Sequence, residues 1–227
     1  MRYRDIRKYI DLLNKGNIEE VIFLRPISEN VDLAKVWHRQ SRKTGGVVCS
    51  LDFFFIKNED EIYIGAILDM CDDLHWYIVP KQRKKGYLTR ALTNEVLPYI
   101  FLNGRESQRI TVSPGLGRLA YLNSKSVATK VGFKSIDKEE SVFLLEERDE
   151  SFQDKTIQER NMGLSKDRCE ILKRRVNDLS KELHKISDEL KMAYGDDSCL
   201  KEISKEVYSY VHIIEDLEWK NDKNRVD

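Results

Sequence analysis

The sequence lacks any apolar run of the roughly 18 residues that a membrane-crossing helix needs. Its N-terminal stretch, MRYRDIRKYIDLLNKG, has no long apolar core, so no secretory signal is expected there. Cysteine is scarce: Cys49, Cys71, Cys169 and Cys199, none in CxxC spacing and none accompanied by a histidine cluster. That excludes a zinc or disulfide framework, and a reducing, cytoplasmic setting with no metal is expected. Net charge is also missing. Lys plus Arg is 39 and Asp plus Glu is 39, giving +0 over 227 residues. No whole-molecule field is available to draw the chain onto nucleic acid or an anionic membrane. Proline is absent after residue 150, where only two glycines remain, Gly163 and Gly195.

Charge of both signs is abundant. Charged residues are 34% of the chain, a share that goes with long solvent-facing helices. The patterning divides the chain into an expected domain over residues 1–148 and a helical region over 149–227. In the first, RYRDIRKYIDLL spaces Ile6, Ile10 and Leu13 along one helical face, with Gly16 as a stop. VIFLRPI reads as a strand and SENVDLAKVWHRQSR as a helix. VVCSLDFFFIK and EIYIGAILDM read as an antiparallel hairpin about NEDE, and LHWYIVP as a third strand. GYLTRALTNEVLPYIF is a helix that Pro98 should disturb. RITVSP is a strand, GRLAYLNSKSVATKVG a helix closed by Gly132, and ESVFLLEE a last strand. The expected class is a mixed α/β or α+β sandwich.

In the second region Leu172, Val176, Leu179, Leu183, Ile186, Leu190 and Ala193 alternate steps of four and three, a heptad seam. After YGDDS the same steps run through Leu200, Ile203, Val207, Tyr210, Ile214 and Leu217. The pattern predicts an antiparallel helical hairpin. Two readings stand: the hairpin packs on its own domain, or residues 165–220 form a dimerising coiled coil.

The densest positive charge is in VPKQRKKGYL, with Lys81, Arg83, Lys84 and Lys85 between a strand end and a helix start at Gly86. The first turn of a helix leaves N–H groups unpaired at the positive end of its dipole, which suits a phosphate. GxxxxGK[ST] is absent, so this is not a P-loop. A basic solvated turn is the plain alternative.

These residues resemble the acetyl-CoA signature of the GNAT (Gcn5-related) N-acetyltransferases. An apolar-x-Pro strand end, IVP, precedes Arg83-x-x-Gly86; Leu88 departs from the usual small residue. FLRPISENVDLAKVW is similar to the family's first strand and helix, RITVSP to its fifth strand, and SVATKVGFKSI to its late helix and Gly-Phe, here Gly132-Phe133. The resemblance spans about residues 20 to 147 and implies a splayed sheet flanked by helices. It implies acetyl-CoA as cosubstrate, its diphosphate on the amides of Lys84, Lys85, Gly86, Tyr87 and Leu88, with Arg83 also among the coenzyme-binding residues. The pantetheine arm would run between two diverging strands, pairing with backbone at Ile78 and Val79. Ser124 fills the small position of N-x-x-[A/S]; Tyr121 stands at its asparagine, for which Asn123 is the substitute.

Acetyl transfer to a primary amine needs a proton acceptor and a proton for the departing thiolate, while much of the rate comes from alignment. Asp72 matches a position that serves as base in some family members, and His75 is a candidate proton relay. Both also read as ordinary strand and turn residues. The family's acid tyrosine is replaced by Ala128, as in the RimJ/RimL-like branch, leaving Tyr121 as a substitute or as core. Trp37 and His38 line the acceptor side or, for Trp37, pack in the core. The expected activity is acetyl-CoA-dependent N-acetyl transfer to an unidentified amine. The alternative is an acyl-CoA-binding or scaffold protein acting through its C-terminal helices. Nucleic-acid binding through Lys81 to Lys85 is a third class, which the neutral charge argues against.

Overall fold

The structure, a computed structural model, describes residues 3–18, 21–37, 50–113, 115, 117–139, 141–146, 163–195 and 199–223. The chain separates into two units, Met1–Asn161 and Met162–Asp227. The boundary expected at 148 lies outside the described residues.

The first unit is mixed α/β. Helix α1 (Tyr3–Asn14) precedes five strands: β1 (Ile22–Pro26), β2 (Val31–Val36), β3 (Leu51–Lys57), β4 (Tyr63–Asp69) and β5 (Leu74–Ile78). They form one antiparallel sheet in sequence order, β1-β2-β3-β4-β5. A helical segment follows, α2 (Tyr87–Ala91) running through a π turn (Leu92–Val96) into α3 (Leu97–Leu102). The disturbance expected at Pro98 is this widened turn, in which Leu97 N–H reaches back to Leu92 O. β6 (Ser107–Thr111), α4 (Arg118–Val131), β7 (Lys134–Ser135) and β8 (Val142–Glu146) complete the unit, with a small second sheet ordered β6-β8-β7.

The five-stranded sheet is covered on both faces. Phe54, Ile56, Ile67, Leu74 and Ile78 pack with Leu92, Leu97, Ile100 and Ile110 in one cluster. Phe53, Phe55, Ala66 and Leu68 pack with Ile6, Tyr9, Ile10 and Leu13 of α1 in the other. This double covering explains the unbroken apolar run FFFI in β3, because every residue of it meets a core.

One expected element is corrected. SENVDLAKVWHRQSR is not a helix over its described part; Val31–Val36 is strand β2. Val31 and Leu33 face one cluster, and Ala34 and Val36 the other, so a two-faced strand imitates helical spacing. The turn before it is tied by the Ser28 hydroxyl, which accepts the N–H groups of Asn30 and Val31. Trp37 is exposed rather than core, and His38 lies outside the described residues.

The second unit is an antiparallel pair, α5 (Lys166–Tyr194) and α6 (Leu200–Lys223). Ser165 caps α5, its hydroxyl accepting Arg168 N–H, and Gly195 closes it in the left-handed region at φ 70°. Among the described residues no helix is long and apolar enough to cross a membrane.

A polar group sits within the sheet. Asp32, 3% exposed, accepts from Lys57 Nζ at 3.3 Å and from the Tyr63 hydroxyl at 2.5 Å. Burial, and then the Asp32 carboxylate, push the Tyr63 phenol well above the ordinary tyrosine range. Unfolded tyrosine ionises near 10. A raised folded pKa stabilises fully below about pH 10, and that contribution is lost as the pH rises beyond it. Denaturant titrations from pH 8 to 11 should show stability falling through the upper part of this range. Tyr63→Phe should be less stable at pH 8 and should fall less steeply; an unchanged slope would remove Tyr63 from the account.

Candidate functional site

β5 and β6 run parallel, joined through the crossover helix of residues 87–102. They belong to different sheets and meet in one parallel bridge, Asp73 to Arg109. Asp73 strengthens this contact. It is 8% exposed, and its Oδ1 accepts Thr111 N–H at 2.9 Å. Beside it, Arg105 clasps both oxygens of Asp69, at 3.1 and 2.9 Å, and also donates to the fully buried Gln108. Planar two-point pairing of this kind is strong and directional. Two carboxylates, one at the end of β4 and one just before β5, thus pin the base of a V.

Beyond this bridge the backbone groups of the two strands can be followed by alternation. Val79 N–H donates to Ile64 O at 2.9 Å, which turns the odd-numbered backbone groups of β5 toward β4. By alternation, Trp76 and Ile78 turn theirs to the far edge. Val112 N–H donates to Ser141 O on the other sheet, so Thr111 and Ser113 face β5. Beyond the Asp73 bridge no strand pairing joins these edges among the described residues.

The loop at the end of β5 is built for exposed amides. A 3-10 turn at Pro80–Gln82 leads to Arg83 in extended conformation, then Lys84 at φ 64° and Gly86 at φ 83°. Alternating handedness turns successive N–H groups to one side, a shape that receives anions. Among the described residues the N–H groups of Lys84 through Thr89 show no backbone acceptor; the helix ladder starts with Arg90 N–H on Gly86 O. A Cβ built on Gly86 meets nothing within 4 Å, so its outer side is open space.

The cations take distinct places. Arg83 Nε donates to Ile78 O at 2.9 Å and its guanidinium lies 5.8 Å from the Tyr77 ring centre. Arg83 therefore braces the loop from behind and occupies one of the backbone acceptors expected for a ligand at Ile78. Lys85 Nζ donates to Gln82 at 2.8 Å. Leu88 is half-buried against the core, so its bulk turns inward rather than filling the loop mouth. The Tyr87 hydroxyl and Arg90 both donate to Glu59 of the β3–β4 turn, and the tyrosine hydrogen bond above all holds that carboxyl below its usual range.

The other candidates do not converge on one point. Asp72 is exposed in the turn before β5, its N–H on Met70 O, and lies outside the strand. His75 is exposed on the face opposite Trp76, with Nε2 3.8 Å from Asp73. Tyr121, Asn123 and Ser124 are on α4, which packs beside α2. Tyr121 is half-buried against the core, Asn123 exposed and Ser124 half-buried. Ala128 is fully buried. A separate groove of about 350 Å³ lies between Arg25, Lys35, Asp52, Tyr99 and Arg105, and no candidate residue lines it. Among the described residues no group of three His, Cys, Asp or Glu could hold a metal.

Asp73, Arg105 and Glu59 are not among the residues the sequence singles out. Each acts on a residue far along the chain, 38 positions away for Asp73 and Thr111. No local pattern announces such a pair.

No family model, curated protein or solved structure matches the chain.

Asp73→Ala leaves Thr111 N–H without its acceptor, at a cost of about 1–3 kcal/mol. Asp73→Asn retains an acceptor and should recover most of it. Urea unfolding of both variants checks this; an alanine variant as stable as the parent would show that the pin carries no load.

Proposed function

We propose that the first unit is a GNAT-like acyl-CoA-binding domain that moves an acetyl group from the coenzyme's thioester to a primary amine. The observation that carries this reading is the V of β5 and β6, with an amide-rich, glycine-led loop at the strand end where it opens. The amides of Lys84 to Thr89 suit a diphosphate, and Lys84 and Lys85 add charge. The free edge of β5 suits an extended arm carrying amides, which adds as a strand. The Ile78 N–H and the backbone of Trp76 are its natural partners, since Ile78 O already serves Arg83. The resemblance is narrower than the sequence suggested, because β2 stands where the family has a helix.

In the reaction the amine nitrogen attacks the thioester carbon, the thiolate leaves, and one proton passes from nitrogen to sulfur or solvent. Holding the two reactants in line between the strands supplies much of the rate. Asp72, His75 and Tyr121 are separate candidates for moving the proton. The group that does so should lose about 10²–10⁴-fold in rate on replacement. A loss under about tenfold would remove that residue from the mechanism. The burial of Ala128, where the family's acid would stand, favours a second reading: binding of acyl-CoA without turnover.

Gly86→Asp should abolish acetyl-CoA binding in calorimetry, because it places a carboxylate at the open side of the loop. Gly86→Ala tests backbone strain alone and should weaken binding less. Retained affinity in the aspartate variant would put the coenzyme elsewhere. Thiol release across an amine panel then separates the two readings: acceptor-dependent release supports transfer, and tight binding without it supports the second.

A further inference from the structure

The seams read from the sequence form the contact between α5 and α6 only in part: Val176, Leu183, Leu190, Leu200, Val207 and Ile214 are half-buried, and Leu179, Ile186, Ile203, Tyr210 and Leu217, which alternate with them, are exposed. That contact runs through Cys169, Val176, Ser180, Ser187 and Ser204. Ser180 and Ser204 each donate a hydroxyl to the other's carbonyl, at 2.9 and 2.7 Å, which requires close backbones. One flank of this contact is polar, with Lys173 reaching Glu215 and Glu218 at 3.9 Å each.

The opposite flank is apolar. At about 100° per residue, Leu172, Leu179 and Ile186 lie one step round from the Ser180 line. On α6, Ile203, Tyr210 and Leu217 lie in the same sense from Ser204. For antiparallel helices the same sense from the shared contact means the same side. Both rows therefore open on one face of the hairpin. Leu179, Ile186, Ile203, Tyr210 and Leu217 are 45% to 61% exposed.

We propose that this face binds a second copy of the chain, with α5 lying antiparallel on α5 of that copy. The charges bordering the apolar row select this occupant. Arg168, Arg175, Glu182 and Glu189 follow one another at seven-residue steps on the outer border of α5. This order opposes the helix dipole, which prefers acids near the N-terminus and bases near the C-terminus, so the isolated helix does not favour it. Antiparallel self-pairing does. Turning a copy over about Leu179 sets Leu172 against Ile186 of the second copy, Arg175 against its Glu182, and Arg168 against its Glu189. Bordering charges of this kind fix partner and direction in helical bundles.

The area is adequate. α5 has 29 residues. At 1.5 Å rise and about 10 Å width it offers roughly 430 Å². The adjoining row of α6 brings the face toward the ~800 Å² per partner of a specific interface.

The test is the mass of the full chain in solution, with helix content followed by circular dichroism. The parent should be a dimer of twice 26.7 kDa. Glu182→Arg with Glu189→Arg lines the border with four like charges and should raise the dissociation constant at least tenfold. Adding Arg168→Glu and Arg175→Glu reverses every pair and should restore the dimer. Leu179→Glu should abolish it while the helices persist. A monomeric parent, a double variant that dimerises as well as the parent, or a fourfold variant that stays apart would each overturn the proposal.

Discussion

The first unit depends on one carboxylate. Asp73 takes the N–H of Thr111 across 38 residues of chain and fixes where β5 and β6 meet. Without a bond there, two parallel strands from separate sheets would have no set origin. With bonds all along, they would be one continuous sheet with no edge to offer. A buried side-chain acceptor does what another ladder bond would do, but only once, and beyond it no strand pairing joins the two edges among the described residues. The Asp69–Arg105 pair reinforces the same point from β4.

The loop at the end of β5 follows from that geometry. β5 ends where Pro80, its φ fixed by the ring, opens a 3-10 turn, and the chain then turns into the crossover helix. Two residues of positive φ, Lys84 and Gly86, make the turn tight, and six amides, Lys84 to Thr89, have no backbone acceptor among the described residues. Arg83 is spent on bracing, with its guanidinium on Tyr77 and its Nε on Ile78 O. The basic run thus has two functions: one cation holds the loop's shape while the neighbouring lysines set its charge.

The legible parts of the sequence were the local ones. The face of α1, the hairpin of β3 and β4, the helix starting after Gly86 and the closure of α4 at Gly132 each follow from residues within a few positions. β2 differs from the helical reading because both its faces are covered, which erases alternation and leaves Val31 and Ala34, three residues apart, at a spacing a helix would also give. The V was legible only through resemblance. Its pin, Asp73 on Thr111, joins residues that no periodicity relates. In the second unit the heptad steps foretold two helices but not which side they present. Small residues, Ser180 and Ser204, hold the centre of the contact because they let the backbones approach until each hydroxyl reaches the facing carbonyl, and the alternate seam residues, such as Leu179 and Ile203, are turned outward.

The central claim is that the amides of Lys84 to Thr89 and the open edge of β5 together hold a coenzyme. Amide chemical shifts during a titration with coenzyme A test it most directly. The largest shifts should fall on Lys84 to Thr89, with a second set on Trp76 and Ile78, and little change on Arg25, Lys35 and Arg105 of the separate groove. Shifts concentrated in that groove, or none along the loop at saturation, would contradict the account.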